Sequence, residues 1–127
     1  NLYIRTRILV AGCNELSVDG RYDSAGAFVQ TAPDPGYAMT GPGDDLGAGQ
    51  YTVTLTYAAD PGCQAQFQIT RGYQDEMEIL ASAPLDPAAG TLSLSLDVTV
   101  PLEDVDYRIY QEGSTLRFYQ VQIDRIA

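Results

Sequence analysis

The chain has 127 residues and a formal net charge of −10, with seven arginines and neither lysine nor histidine. This length suits one domain with its own core, and the acidic balance excludes the basic surface that binds nucleic acids or anionic membranes. Without histidine, the chain alone cannot form a Ser-His-Asp triad, a Cys-His pair or an imidazole zinc site.

The N-terminal part of the chain starts with one strand pattern and continues as loop. Residues 2–10 alternate between two faces and are predicted to form the first strand. Residues 11–26 are rich in Gly, Asn and Asp, which favour turns, so this segment is predicted to be mostly loop. It leaves room for one short strand at residues 16–18.

Two further short strands precede a turn-rich segment. The first covers residues 27–31 and is stopped by Pro33 and Pro35, because proline cannot donate to a strand ladder. The second covers residues 37–40. Residues 41–49 consist mainly of Gly, Pro and Asp and are predicted to be a loop.

The clearest strand follows this loop. Residues 50–58 place two tyrosines, a valine and a leucine on one face and three threonines on the other, which is typical of a half-buried strand. Residues 64–70 alternate in the same way after a turn at Asp60-Pro61-Gly62. The two strands are therefore expected to form a hairpin.

The rest of the chain contains four strand patterns and no helix pattern. They cover residues 76–82, with Met77, Ile79 and Ala81 inward, and residues 91–100, 106–111 and 115–126. In the last of these the apolar residues change parity, which a β-bulge near Tyr119-Gln120 would explain. With eight or nine short strands between turns, the chain is predicted to be an all-β antiparallel sandwich, a jelly roll.

The two cysteines, Cys13 and Cys63, both lie next to turn residues. They indicate either a disulfide or two buried thiols, and we favour the disulfide. Such a bond would place the protein in an oxidising, extracytoplasmic compartment: periplasmic, secreted or on the cell surface. The chain begins at Asn1 rather than Met, so residues 1–127 are expected to be one domain excised from a larger protein. That parent protein could be membrane-associated, although this domain has no apolar run long enough to insert.

Loop carboxylates are the first candidates for chemistry. They are Asp44-Asp45, Asp75-Glu76-Glu78 and Glu103-Asp104-Asp106. Oxygen-rich loops suit calcium and a facing pair could serve a glycosidase, but we favour solvated charge on an acidic protein as the explanation. No spacing matches an EF-hand, and no catalytic motif is strong, so the chain is not expected to be an enzyme.

Tyrosines and arginines are the second set of candidates. Tyr22, Tyr37 and Tyr73 lie in predicted loops, where a ring either stacks on a sugar or folds down to seal the sandwich. The arginines could bind an anionic glycan or pair with the many carboxylates. Those considered are Arg5, Arg7, Arg71, Arg108 and Arg117.

The middle of the chain resembles bacterial jelly-roll modules found beside polysaccharide enzymes. The matching residues are Pro35, Gly36, Tyr37, Gly41, Pro42, Leu46, Gly49 and Tyr51. The C-terminal segment STLRFYQVQIDRI is similar to the closing strand of galactose-binding-like carbohydrate-binding modules. In that family an Asp near the last strand often helps to hold a structural calcium. The resemblance implies that Asp124 would be its counterpart, with Glu15 as the partner ligand.

The resemblance implies a non-catalytic carbohydrate-binding or accessory role within a polysaccharide glycosyltransferase or hydrolase. Any glycan contact is expected to use Tyr22, Tyr37 and Tyr73, with Asp44, Asp45 or Asp75 accepting hydrogen bonds from sugar hydroxyls. The alternative is a module for protein–protein interaction, or a structural adhesin or cell-envelope domain. An exposed cluster of tyrosines with Asp or Gln would favour a glycan, and a flat apolar patch would favour a protein partner.

Overall fold

The computed structural model describes residues 6–18, 20–22, 28–31, 35–72, 74–112 and 115–127; residues 21–22 and 28–31 are described by their backbone only. These residues form twelve strands and one turn of 3-10 helix, Gln74–Glu76. The strands are β1 (Thr6–Val10), β2 (Ser17–Val18), β3 (Arg21–Tyr22), β4 (Phe28–Thr31), β5 (Gly36–Thr40), β6 (Pro42–Leu46), β7 (Gly49–Ala59), β8 (Ala65–Arg71), β9 (Glu78–Pro84), β10 (Thr91–Val98), β11 (Leu102–Gln111) and β12 (Thr115–Arg125).

The strands form two antiparallel sheets. Sheet A has the order β10-β7-β12-β4-β3, and β1 also pairs with β12. Sheet B has the order β2-β5-β11-β8-β9, and β6 also pairs with β11. The predicted all-β antiparallel sandwich is therefore confirmed. In the described part of the chain, no helix is long and apolar enough to cross a membrane.

The core lies between the sheets and is built from the residues of one parity on each long strand. On β7, Val53 and Leu55 are fully buried, whereas the alternating threonines, Thr52, Thr54 and Thr56, lie half-buried at the outer surface. Phe67 on β8 and Phe118 on β12 are also fully buried. Burial of each such side chain contributes about 1.5–3 kcal/mol, so the alternation seen in the sequence is the main source of stability.

The predicted hairpin between residues 50–58 and 64–70 is wrong. β7 pairs with β10 and β12 in sheet A, whereas β8 pairs with β11 and β9 in sheet B. The turn at Asp60-Pro61-Gly62 carries the chain from one sheet to the other. Alternation shows which face of a strand is buried. It does not show whether the next strand in the chain pairs with it in the same sheet or lies in the opposite sheet.

The strand count exceeds the prediction because short or irregular strands join the sheets. The predicted loop at residues 41–49 contains β6, which pairs with β11 through two register shifts. Gly, Pro and Asp are poor strand formers, but backbone pairing with β11 overrides that weak preference. β9 begins later than predicted, and Ile79 is 49% exposed rather than buried. The predicted bulge near Tyr119-Gln120 is confirmed by a register shift between Phe118 and Gln120.

The predicted disulfide between Cys13 and Cys63 is not formed, because both residues are free thiols. Cys13 follows β1 and Cys63 follows β7, and β12 lies between these two strands. The strands are thus two spacings, or about 10 Å, apart.

Candidate functional site

Three rows of side chains run across the outer face of sheet B. The residues of each row are backbone partners on neighbouring strands. The first row is Tyr37, Tyr110, Gln66 and Pro84; the second is Arg108, Gln68 and Ser82; the third is Asp106 and Thr70. The first row spans four strands, or about 14 Å, which is the length of two or three sugar rings.

A cavity of about 480 Å³ lies along the first row. We call this cavity the groove. Its lining includes Tyr37, Tyr110, Gln66, Gln68 and Pro84. The remaining lining residues are Cys63, Gln64, Ala65, Leu85 and Glu112. The groove therefore combines aromatic, amide and apolar groups with one carboxylate, that of Glu112.

The two tyrosines of the groove meet edge to face. Their ring centroids are 5.2 Å apart and the ring planes are inclined by 71°. The Tyr37 hydroxyl donates to Oε1 of Gln68 at 3.2 Å, and the Arg108 guanidinium lies 5.1 Å from the centroid of the Tyr37 ring. One face of Tyr37 is thus already covered, and the two rings do not form a single flat platform.

The floor beneath the tyrosines is polar but nearly inaccessible to water. Thr70 is fully buried and Gln68 is 6% exposed, although both lie on the outer face of the sheet. Arg108 donates from Nε to Oγ1 of Thr70 at 2.9 Å and from Nη2 to Oδ2 of Asp106 at 3.0 Å. These contacts hold Arg108 against the sheet and fix the position of Tyr37 above it.

Only part of the predicted ligand set lies at the groove. Tyr37 lines the groove from β5, and its contact with a glycan stays a prediction. Asp75 is exposed in the 3-10 turn Gln74–Glu76 and does not line the groove. Tyr73 lies outside the described residues, and Tyr22 lies in β3, where only the backbone is described.

Asp44 and Asp45 lie on β6, away from the groove. Asp45 is exposed. Asp44 forms an ion pair with Nη2 of Arg7 at 2.9 Å and accepts a hydrogen bond from the hydroxyl of the buried Tyr107 at 3.3 Å. Burial raises the pKa of Asp44, and the nearby Arg7 offsets part of that effect. Asp44 therefore acts as an internal partner in this arrangement.

The predicted calcium ligands Glu15 and Asp124 do not share a site. Asp124 accepts hydrogen bonds from Thr6 at 2.7 Å and from Gln122 at 2.9 Å. Glu15 forms an ion pair with Arg7. Thr6 and Arg7 are consecutive strand residues whose side chains point to opposite faces, so their two partners are also separated. Among the described residues, no group of three or more metal-ligating side chains is present, and calcium binding stays a prediction.

The groove residues that sequence reasoning missed are Tyr110, Gln66, Gln68 and Arg108. A signal for them is present: Gln64, Gln66 and Gln68 alternate with apolar residues on one strand. On β11, Arg108 and Tyr110 alternate with buried residues in the same way. Because β8 and β11 are neighbours, these two polar faces merge into one surface. The sequence shows both faces but not that the strands are adjacent.

The arrangement suits a ligand with apolar ring faces and many hydroxyl groups. A tyrosine ring can stack on such a ligand, and each glutamine amide can both donate and accept a hydrogen bond. The described groove residues include one cysteine thiol and one carboxylate, Cys63 and Glu112, and no facing pair of carboxylates. The groove therefore offers stacking and hydrogen-bonding groups to such a ligand.

Comparison with solved structures identifies the same fold in carbohydrate-binding modules. The C-terminal CBM6 of LamC, a marine laminarinase from Zobellia galactanivorans, has a TM-score of 0.64 at 15% identity and covers 94% of this chain and 99% of its own. CBM86, a low-affinity xylan-binding module from Roseburia intestinalis, has a TM-score of 0.65 at 13% identity and covers 95% of this chain and 96% of its own.

The fold also occurs within a larger assembly, the Glycosylation Associate Protein (Gap123) complex from Streptococcus agalactiae. There the TM-score is 0.62 at 8% identity, and the match covers 98% of this chain and 26% of that one. No protein-family model and no curated protein matches the chain in sequence. At these identities the likeness concerns the jelly-roll fold, and the argument for function depends on the groove.

Proposed function

We propose that this domain binds a glycan, without catalysis, in the groove on sheet B. The observation that carries the proposal is the first row, in which Tyr37, Tyr110 and Gln66 lie side by side above a buried polar floor. That floor orders the row before any ligand arrives, which lowers the entropic cost of binding. The carbohydrate-binding modules of the same fold add support for a sugar ligand.

Tyr110 is the ring on which the sugar stacks. Arg108 covers one face of the Tyr37 ring, and the Tyr37 hydroxyl is bonded to Gln68. Tyr37 therefore serves mainly to position the neighbouring Tyr110. Gln66 lies next to Tyr110 in the row and is exposed, so its amide is placed to bind sugar hydroxyls. Affinity is expected on the order of 0.1–1 mM, because a small polar ligand retains little free energy after desolvation.

In this proposal the domain is an accessory module of a larger extracytoplasmic protein, such as a polysaccharide glycosyltransferase or hydrolase. The two free thiols no longer argue for an oxidising compartment. The remaining support for that location comes from a LamC module of the same fold, which belongs to a laminarinase.

A glycan array followed by titration tests the proposal. Tyr110→Ala should weaken binding of an array hit about tenfold, since one stacked ring contributes roughly 1 kcal/mol or more. Gln66→Ala should weaken it less. Tyr119→Ala is the matched control, because Tyr119 is 39% exposed and lies on sheet A. Unchanged affinity in Tyr110→Ala, or no binding to any glycan, would contradict the proposal.

A second candidate function, binding of a protein partner, is favoured by an apolar patch on the outer face of sheet A. Ile8 and Val10 on β1 are 51% and 49% exposed, and the Tyr119 carbonyl accepts a hydrogen bond from the backbone of Ala11 beside them. Large exposed apolar residues that cluster in this way are typical of interaction surfaces. Ile8→Ser combined with Val10→Ser should abolish binding to such a partner and leave glycan affinity unchanged.

A further inference from the structure

Arg108 is the one arginine on the three rows that form the outer face of sheet B. An arginine in a glycan groove would ordinarily attract uronates or sulfated sugars, because its guanidinium matches carboxylate and sulfate geometry. The contacts of Arg108 in this groove instead indicate that it does not bind an anionic sugar. The carboxylate of Asp106, two residues along the same strand, already occupies one edge of the guanidinium.

We propose that Asp106 restricts the groove to uncharged glycans by neutralising Arg108. This inference rests on the proposed function and adds the ligand class and the residue that sets it. Asp106 does not need to contact the sugar. It acts through Arg108, whose charge it cancels and whose orientation it helps to fix.

The geometry leaves little of Arg108 for a ligand. Its side chain is 11% exposed, and that of Asp106 is 17% exposed, so solvent screens the pair only weakly. Nε is bonded to the buried Thr70, and the guanidinium plane lies over Tyr37. An anionic ligand would have to compete with the carboxylate of Asp106 for Nη2.

The surrounding charges also oppose an anion. Glu112 contributes a further carboxylate to the groove, and Arg71, at the end of β8, is paired with Glu78 at 3.1 Å. The chain as a whole carries a net charge of −10. A neutral sugar has no such cost, since its hydroxyl groups need only an exposed amide such as that of Gln66 in the first row.

Paired polysaccharides that differ mainly in charge test this inference by affinity electrophoresis. The pairs are hydroxyethylcellulose with carboxymethylcellulose, highly methyl-esterified homogalacturonan with polygalacturonate, and dextran with dextran sulfate. The wild-type chain should be retarded by at least one neutral member and not by its anionic counterpart. Asp106→Asn should gain about tenfold in affinity for the anionic member relative to its affinity for the neutral member.

Two variants complete the design. Asp97→Asn removes the same charge from sheet A and should gain no affinity for anionic polysaccharides. Asp106→Ser, which keeps a hydroxyl acceptor for Arg108, covers the case in which the amide variant does not fold. Added salt should abolish the gained anionic binding and leave neutral binding unchanged, because only the former depends on charge.

The outcomes separate the two proposals. Equal retardation of the wild-type chain by both members of a pair overturns the inference and leaves glycan binding in place. Neutral binding by the wild-type chain, with no anionic gain in either Asp106 variant, overturns the role of Asp106. No retardation by any polysaccharide counts against the proposed function itself, and the inference fails with it.

Discussion

Asp44 shows how one buried carboxylate joins the two sheets at the edge of the molecule. It lies on β6, accepts a hydrogen bond from Tyr107 on β11 and forms an ion pair with Arg7 on β1. β1 belongs to sheet A, and β6 and β11 belong to sheet B. Burial of this carboxylate is costly. The pKa of the Tyr107 hydroxyl is also raised, first because Tyr107 is itself buried and second because the negative charge of Asp44 lies beside it.

The raised pKa of Asp44 predicts a specific pH dependence of stability. The folded protein binds this proton more tightly than an unfolded chain, in which the pKa is near the ordinary value of 3.8. The contribution of this group to the free energy of unfolding is therefore largest below that value and decreases as the pH rises through the folded-state pKa. Asp44→Asn, which cannot ionise, should gain stability relative to the wild-type chain as the pH rises over that interval.

Urea unfolding of both chains at a series of pH values measures this difference. Asp97→Asn controls for the loss of one negative charge, because Asp97 is exposed on sheet A. A stability difference between Asp44→Asn and the wild-type chain that is constant across the series, or that shrinks as the pH rises, would show that burial of Asp44 does not set its pKa.

At the scale of single residues, the sequence predicted chemical type better than location. Asp44 was a reasonable ligand candidate because it stands between Gly and Asp in a turn-rich segment. The structure instead gives it two internal partners, and both are distant in sequence. Tyr110 was not singled out. The sequence pattern of an alternating strand is the same whether an outward-facing tyrosine lines a groove or lies on an ordinary surface.

Among the elements, the connection between β5 and β6 depends on Gly41. Its φ of +128° lies in a region that residues with a side chain rarely adopt, and a Cβ there would be 2.6 Å from the carbonyl oxygen of Glu15. The Gly41 carbonyl also accepts a hydrogen bond from the backbone of Tyr107 at 2.8 Å. Three segments of the chain therefore meet at a position where only glycine fits.

Gly41→Ala should lower the free energy of unfolding by about 2–3 kcal/mol, because both the strained φ and the clash with backbone must be relieved. Chemical denaturation measures this loss. Gly36→Ala is the matched control, since a Cβ there meets nothing within 4 Å, and its effect should stay within about 0.5 kcal/mol. Equal stability of the two variants would show that the connection can adjust freely.

The strands also show why their positions in the sequence could be predicted, whereas the strands with which they pair could not. The alternation on β7, β8 and β10 depends on local sequence, and all three strands were predicted. Pairing of β8 with β11 joins residues about forty positions apart, and nothing local specifies it. The outer face of sheet B, and with it the groove, is a product of that pairing.

For the whole molecule, charge opposes the compact state that burial stabilises. Seventeen acidic side chains face seven basic ones, and ion pairs among the described residues engage Arg7, Arg71 and Arg108. A large net charge keeps a domain soluble, but its mutual repulsion destabilises the folded state. Charge repulsion therefore affects folding but not the proposed binding of a neutral glycan. In the groove, the first row is uncharged and the charge of Arg108 is neutralised by Asp106.

Moderate salt should therefore stabilise the domain without changing its affinity for a neutral glycan. Raising the ionic strength from about 0.01 to 0.1 M shortens the screening length from about 30 to about 10 Å, which weakens repulsion across the surface. We expect Tm to rise by about 2–5 °C, measured by thermal melting. Asp97→Asn combined with Glu103→Gln removes two exposed carboxylates and should raise Tm at low salt and reduce the gain on adding salt. A Tm that falls with salt would mean that exposed pairs such as Arg71 with Glu78 contribute more than the net repulsion.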